Sequence, residues 1–318
     1  MRNIINITKK SAIPLMGTMY FGILDRNTNI LEVRPTTLCN INCTFCSVGA
    51  GPKANYKTDF VVEESYLAEE IKKIIEFKNS KMDIWINPQG DPTVYPDLIQ
   101  LIKDCRAIKQ VNKIIIITNG LLLTEKKIDD YKAAGLTQIS LSMNAFTNEK
   151  AAELAGLKAY NIEKIRKICT YAAKQLELVL TPVYMKNTNE HEIESIVKFA
   201  KDIGAEVSIQ NFCKNRRGRN PVSTLPFKKF YKHLQELEKK YSMDLIKVDK
   251  LTKTTPLSKV AKRGQIIEAN IIMDSKYDNE MIAIYKDKCI IVYGAKRMGP
   301  TKLKIMKASY NFYYAKAI

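Results

Sequence analysis

Three cysteines, Cys39, Cys43 and Cys46, stand as Cys-x3-Cys-x2-Cys in the segment Arg34-Pro-Thr-Thr-Leu-Cys-Asn-Ile-Asn-Cys-Thr-Phe-Cys46. A loop this tight can bring three thiolates to one metal centre. Three thiolates complete neither a four-cysteine zinc site nor a fully ligated [4Fe-4S] cube. A cube held by three leaves one iron open to a substrate or cofactor. The next cysteine, Cys105, falls in a predicted helix. Cys169, Cys213 and Cys289 are scattered and read as small buried apolar side chains, although Cys213 stands at a strand end beside a basic turn. Seven cysteines at uneven spacing argue against a disulfide framework and for a reducing compartment. The two histidines, His191 and His233, lie in charge-rich helical stretches and read as surface residues.

The chain has 318 residues, 46% of them apolar, enough for one barrel-sized domain with an appendage or for two domains. From residue 30 short β-branched runs alternate with longer helical patterns, the signature of consecutive βα units and a parallel sheet. The strand candidates are Ile30–Arg34, Asp83–Asn87, Lys113–Thr118, Gln138–Met143, Glu177–Val183 and Glu206–Gln210. Helix candidates lie at Glu63–Phe77, Pro96–Ile108, Glu125–Ala134, Ile162–Leu176 and Glu190–Ile203. The cysteines directly follow the first strand. Periodicity alone leaves open a partial barrel or a flat doubly wound sheet. Residues 1–29 show no motif and are expected to form an extension. After Phe212 a basic turn (Lys214, Arg216, Arg217, Arg219) leads to a helix, Pro226–Tyr241, and a Lys/Thr-rich linker, Lys247–Lys262. Five short strands then predict a small all-β barrel over 264–318: Gln265–Met273, Glu280–Tyr285, Cys289–Tyr293, Lys302–Met306 and Tyr310–Ala315. Apolar runs such as Ile114–Ile117 are too short to cross a bilayer, and the start lacks a signal-peptide pattern, so a cytoplasmic protein is expected.

Net charge is +18 and unevenly placed: residues 1–210 carry 27 Lys+Arg against 24 Asp+Glu, whereas residues 211–318 carry 24 against 9. A Lys-rich composition would spread the excess; its segregation fits an electrostatic footprint for a polyanion.

The cysteine segment resembles the cluster loop of the radical SAM superfamily, in which S-adenosylmethionine chelates the open iron. The resemblance implies an α/β fold, a partial (β/α)6 barrel over 30–225, with a [4Fe-4S] cluster on Cys39, Cys43 and Cys46. Phe45 matches the aromatic the family usually carries before its third cysteine. Asn87-Pro-Gln-Gly-Asp-Pro92 looks like the family's Gly-Gly-Glu-Pro turn, which meets the methionine amino group, with Gln89 replacing the first Gly and Asp91 replacing Glu. The resemblance therefore assigns Gly90 and Asp91 to the cofactor. It assigns Asn119 of Thr118-Asn119-Gly120, the polar pair Ser142 and Asn144, and Val183 beside the adenine in the same way. Asn119 and Asn144 read equally well as turn formers. All these residues sit at carboxyl ends of successive strands, where barrel enzymes build their sites. The implied chemistry is one-electron cleavage of the sulfonium to a 5'-deoxyadenosyl radical that abstracts a hydrogen, with an electron donor as partner.

The last stretch, Gly264 to Met306 and beyond, resembles a TRAM domain, a TRAM/OB-like β-barrel appended to several RNA-modifying enzymes. Its tyrosines and Phe312 interleave with Lys296, Arg297, Lys302 and Lys304, which suits base stacking and phosphate contact. Arg216, Arg217 and Arg219 are placed to steer phosphate, with a solvated turn as the plainer reading. Residues 226–263 are expected to form the helix and basic linker. The expected partner is RNA, with tRNA the natural candidate. The expected reaction is methylation or another carbon-centred modification of a bulky anticodon-loop nucleoside. A methylthiotransferase is disfavoured, because only about 30 residues precede the first strand, and no cobalamin-binding domain is visible. The alternatives are radical chemistry on a protein side chain or small metabolite, and a non-catalytic iron-sulfur RNA-binding protein.

Overall fold

The computed structural model describes residues 2–247 and 251–318 and divides the chain into two compact units. One gathers Met1–Leu38, Asn55–Ile114 and Leu251–Ile318; the other gathers Cys39–Ala54 and Ile115–Lys250.

The stretch without a motif forms two strands, β1 (Asn3–Ile7) and β2 (Gly22–Asp25), ahead of β3 (Ile30–Arg34). They were hidden because each is short and mixed in polarity. β1 pairs in parallel with β4 (Thr58–Val62), and β2 pairs antiparallel with β3. Helix α1 (Glu64–Lys78) follows and buries Leu67, Ile71, Ile74 and Ile75, one stripe at helical spacing. β5 (Met82–Ile86) pairs in parallel with β3, and α2 (Leu98–Arg106) buries Leu98, Leu101, Ile102 and Cys105. β6 (Val111–Thr118) begins in this unit and ends in the other.

In the second unit α3 (Glu125–Ala134) leads to β7 (Gln138–Leu141), which pairs in parallel with β6. A helix the periodicity missed, α4 (Asn148–Ala155), precedes α5 (Ile162–Gln175) and β8 (Glu177–Leu180), which pairs in parallel with β7. The expected strand Glu177–Val183 is broken at Thr181–Pro182, because proline has no amide hydrogen to continue the ladder, and resumes as β9 (Val183–Tyr184). After α6 (Glu190–Ile203), the last expected strand is likewise split: β10 (Glu206–Val207) pairs with β8, and β11 (Gln210–Asn211) pairs with β9. Helix α7 (Phe227–Tyr241) closes this unit's regular structure.

The first unit resumes in the Lys/Thr-rich linker. Residues 248–250 of that linker lie outside the described residues, but Thr252–Thr255 is tied down. Thr254 N donates to Asn27 O at 3.0 Å, and Lys78, fully buried against Asp25 at 2.9 Å, also donates to Thr254 Oγ1 and Thr255 O. Five strands then close a barrel: β12 (Ile266–Asp274), β13 (Glu280–Tyr285), β14 (Lys288–Tyr293), β15 (Gly299–Ser309) and β16 (Phe312–Ala317). Their order around the barrel is β12-β13-β14-β16-β15, with β14 and β16 the parallel pair. β12 alternates exposed and buried residues, sending Ile267, Ala269 and Ile271 inward against Ala283, Ile290, Leu303 and Tyr313. β14 is buried on both faces because its back meets the amino-terminal segment: Cys289 N donates to Met16 O at 2.7 Å, and its thiol to Pro14 O. Among the described residues, no helix is long and apolar enough to cross a membrane.

Candidate active site

In the second unit the cysteine loop is fixed through its backbone. Asn42 N and Thr44 N donate to the carbonyls of Ala155 and Leu154 at the end of α4, both at 2.9 Å. Gly156 caps that helix with φ +60°, and a Cβ there would lie 2.3 Å from Asn42 O, so the close approach requires glycine. Arg219 clamps the loop's other side. Its backbone N–H donates to Cys46 O, and its guanidinium to Cys43 O at 2.7 Å, Gly49 O at 3.1 Å and Ala50 O at 2.8 Å. The donors expected on phosphate thus serve the loop carbonyls. The three thiols remain half-buried, and Ala50 N donates to Cys46 Sγ at 3.3 Å, a contact of the kind that stabilises sulfur-borne negative charge. Burial, reinforced by the neighbouring Cys46 and Cys39, pushes the Cys43 thiol well above the usual thiol range.

This donor set fits a cluster held by three protein sulfurs. Cys105, Cys169 and Cys289 are buried in α2, α5 and β14, and Cys213 is exposed past β11. Among the described residues no group of three or more His, Cys, Asp or Glu side chains is gathered as a metal site. An incoming metal would displace the Cys43 proton that burial retains.

Three strand ends contribute further groups in this unit. Asn119, after β6, donates its amide to Asn40 Oδ1 at 2.8 Å, fastening that strand end beside Cys39, and its own Oδ1 accepts from Leu121 N. Asn144 accepts from Val183 N at 2.8 Å and donates to Ser142 O at 3.1 Å, which brings together Ser142, Asn144 and Val183. Asn189 Nδ2 donates to the carbonyls of Asn144 and Val183 at 2.9 Å each. Phe45 is half-buried.

In the first unit the turn after β5 presses on Leu38, the residue before Cys39. Asp91 N donates to Leu38 O at 2.8 Å, and a Cβ on Gly90 would come within 1.9 Å of that oxygen. Asp91 is buried, and its Oδ1 accepts from Thr93 N at 2.9 Å and Thr93 Oγ1 at 2.5 Å. Gln89 accepts from Lys276 Nζ at 3.0 Å. Lys276, Asn40 and Asn189 were missed from sequence. Asn40 flanks a motif cysteine, a signal that could have found it; Lys276 carries none.

The remaining basic residues fall on surfaces. Arg216 is exposed and Arg217 half-exposed in the turn before α7. Lys296 and Arg297 are exposed between β14 and β15, and Lys302 and Lys304 on the outer face of β15. The aromatics divide: Phe312 and Tyr313 are core, while Tyr293 and Tyr314 stack at 6.2 Å and are half-buried.

The Radical SAM superfamily profile matches residues 33–200. The chain is 31% identical to uncharacterized protein MJ0103 of Methanocaldococcus jannaschii, over 96% of this chain and 79% of that one. It is 29% identical to the GTP 3',8-cyclase of Campylobacter jejuni subsp. doylei, over 73% of this chain and 69% of the relative. Streptococcus suis SuiB bound to S-adenosylmethionine shares the fold at TM-score 0.54 and 18% identity, over 68% of this chain and 50% of SuiB, so the chain spans half the length of that protein. The chain belongs to the radical SAM superfamily, whose cofactors are a [4Fe-4S] cluster and S-adenosylmethionine.

Proposed function

We propose that this radical SAM enzyme modifies a nucleoside in RNA, with tRNA the substrate class, by a carbon-centred reaction such as methylation. In this reading residues 30–225 are the catalytic barrel, 226–263 a connecting helix and basic linker, and 264–318 the RNA-holding barrel. The cluster and S-adenosylmethionine, when bound, supply one-electron sulfonium cleavage and hydrogen abstraction. This chain's part is to hold them. Cys39, Cys43 and Cys46 ligate iron. Gly90 and Asp91 present backbone acceptors to an ammonium, and Asn119, Ser142, Asn144 and the Val183 backbone line successive strand ends. Phe45 covers the loop.

The observation that carries the RNA reading is the outer face of β15 and β16. Lys304 and Lys316 stand directly opposite one another in register, and Lys302 is the next outward residue on β15. Like charges facing across a strand pair cost stability, which a bound polyanion would offset. Beside them Lys307 lies 5.9 Å from the centroid of the Tyr314 ring, which stacks on Tyr293. Cations beside stacking rings suit single-stranded bases, about 1 to 3 kcal/mol per stacked base. The barrel's strand order and its parallel pair support an OB-like or TRAM-like oligonucleotide module.

Mass analysis of tRNA nucleosides from cells with and without the gene tests the reading, and unchanged profiles would remove it. In vitro, Lys302→Gln with Lys304→Gln is expected to reduce the slope of log affinity against log salt by about two while leaving cluster content intact. A second reading, a nucleotide-sized metabolite as substrate, is favoured by the likeness to GTP 3',8-cyclase. Release of 5'-deoxyadenosine stimulated by nucleoside triphosphate and not by tRNA would select it.

A further inference from the structure

The hairpin loop between β12 and β13 carries a lysine with no exposed surface, Lys276. Burying an ammonium costs several kcal/mol unless its surroundings replace water, so its neighbours show what the fold obtains for that cost. Lys276 Nζ donates to Gln89 Oε1 at 3.0 Å and lies 4.5 Å from the centroid of the Tyr56 ring and 5.8 Å from that of Tyr277. The loop is anchored so that the lysine cannot swing. Lys57 N donates to Lys276 O at 3.1 Å, Tyr277 packs edge-on against Tyr20 and Tyr56, and Tyr20 donates to buried Glu280 at 2.5 Å.

The same cluster reaches Thr37 in its own unit. Tyr56 Oη and Thr37 Oγ1 both donate to Asp59 Oδ1, at 3.0 and 2.8 Å, and Thr37 immediately precedes Leu38. Leu38 O in turn accepts from Asp91 N and is crowded by Gly90. Within the turn Asp91 turns one carboxylate oxygen onto Thr93. Gln89 is a side-chain handle on the turn, and the grip comes from a residue 187 positions later. A second buried lysine, Lys78, grips Asp25 and the linker instead.

We propose that Lys276 is a positioning residue for the cofactor: the β12–β13 loop holds Gln89, and through it the backbone acceptors at Gly90 and Asp91, in the geometry that receives the methionine end of S-adenosylmethionine. The C-terminal barrel then helps to hold that turn of its own unit, whatever its outer face binds. The inference rests on the family membership and not on the RNA reading.

The test uses the full chain, anaerobically reconstituted, with S-adenosylmethionine affinity measured by equilibrium dialysis alongside iron and sulfide content and the thermal midpoint. Lys276→Met and Gln89→Leu are each expected to weaken affinity about tenfold, which is the size of one charge-assisted hydrogen bond. The double variant is expected to be no weaker than either alone, with cluster content at the wild-type level. Asp278→Asn, which breaks only the exposed Lys57–Asp278 pair of the same loop, is expected to leave affinity unchanged. Unchanged affinity in a folded, cluster-loaded Lys276→Met protein would overturn the proposal, and so would losses that multiply in the double variant. Should Lys276→Met fail to fold, Gln89→Leu decides alone: wild-type affinity overturns, a tenfold loss supports.

Discussion

The loop Cys39–Ala54 and the hairpin turn Ser275–Asn279 are both irregular segments tied to residues that we propose hold the cofactor, and they are held in opposite ways. The cysteine loop is fixed by its carbonyls and amides: Arg219 and the end of α4 hold its backbone, and its thiols stay half-buried. The hairpin adds side chains to its backbone tie at Lys276 O, with Lys276, Tyr277 and Glu280 all buried. The difference separates two tasks. A ligand-bearing loop must keep its side chains for the metal, so order has to come through the backbone. A positioning segment spends its side chains on order and has none left for chemistry.

If that division holds, the largest effect comes from the ligands and costs the least stability. Cys43→Ser is expected to abolish cluster assembly, read as loss of bound iron and sulfide and of 5'-deoxyadenosine release. The metal-free protein should keep its unfolding free energy to within about 0.5 kcal/mol, as for a substitution outside the packed core. A large loss of stability would place Cys43 with the hairpin's kind of residue.

Arg219→Gln should behave in the opposite sense. Three carbonyls lose guanidinium donors together, at about 1 to 3 kcal/mol in all because the site is half-exposed. The expected signature is faster amide exchange across Thr44–Ala50 and a severalfold lower cluster content, with the salt dependence of RNA affinity unchanged. A fall in that salt slope would return Arg219 to the phosphate-contacting role its sequence context suggests.

What was legible in the sequence follows the same line. Thiols at tight spacing after a β-branched strand announce chemistry because type and spacing alone carry the information, and β3, α3 and α6 occupy the residues that periodicity assigns them. The two strands broken near Thr181–Pro182 and Ser208 were overread, because apolar content persists across Pro182, which has no amide to donate, although Ser208 N still donates to Leu180 O at 2.9 Å. Arg219 was noticed for its charge, but only the fold shows that its donors meet carbonyls instead of phosphates. Lys276 was invisible: one lysine among 41 carries no periodic or motif signal, and its partner Gln89 lies 187 residues away. Contacts of that separation are made by topology, and no local pattern encodes them.

The smallest expected effect lies away from both segments and guards their interpretation, since a pH dependence of activity can come from the scaffold. Glu64, in the first turn of α1, has its carboxyl pushed up to about 7, first by burial and then by the charge and hydrogen bond of Asp104, with Asp97 adding to it. Gln100 Nε2 donates to Asp104 Oδ1 at 2.9 Å. A folded pKa above the unfolded one means that the protonated form is the stabilising one. The contribution is complete below about 4.5 and is lost as pH rises through about 7. Solvent screening of this partly exposed pair, and the α1 amino terminus favouring negative charge, hold the change to on the order of 1 kcal/mol or less. Glu64→Gln, which keeps a hydrogen-bonding amide without ionising, should flatten the unfolding free energy across that window and stabilise the protein above it, measured by denaturant unfolding at several pH values. Cofactor affinity in Glu64→Gln should follow the wild-type pH profile. A profile that flattened together with stability would show the cofactor turn responding to the scaffold's charge, and would erase the separation between segments that bind and segments that position.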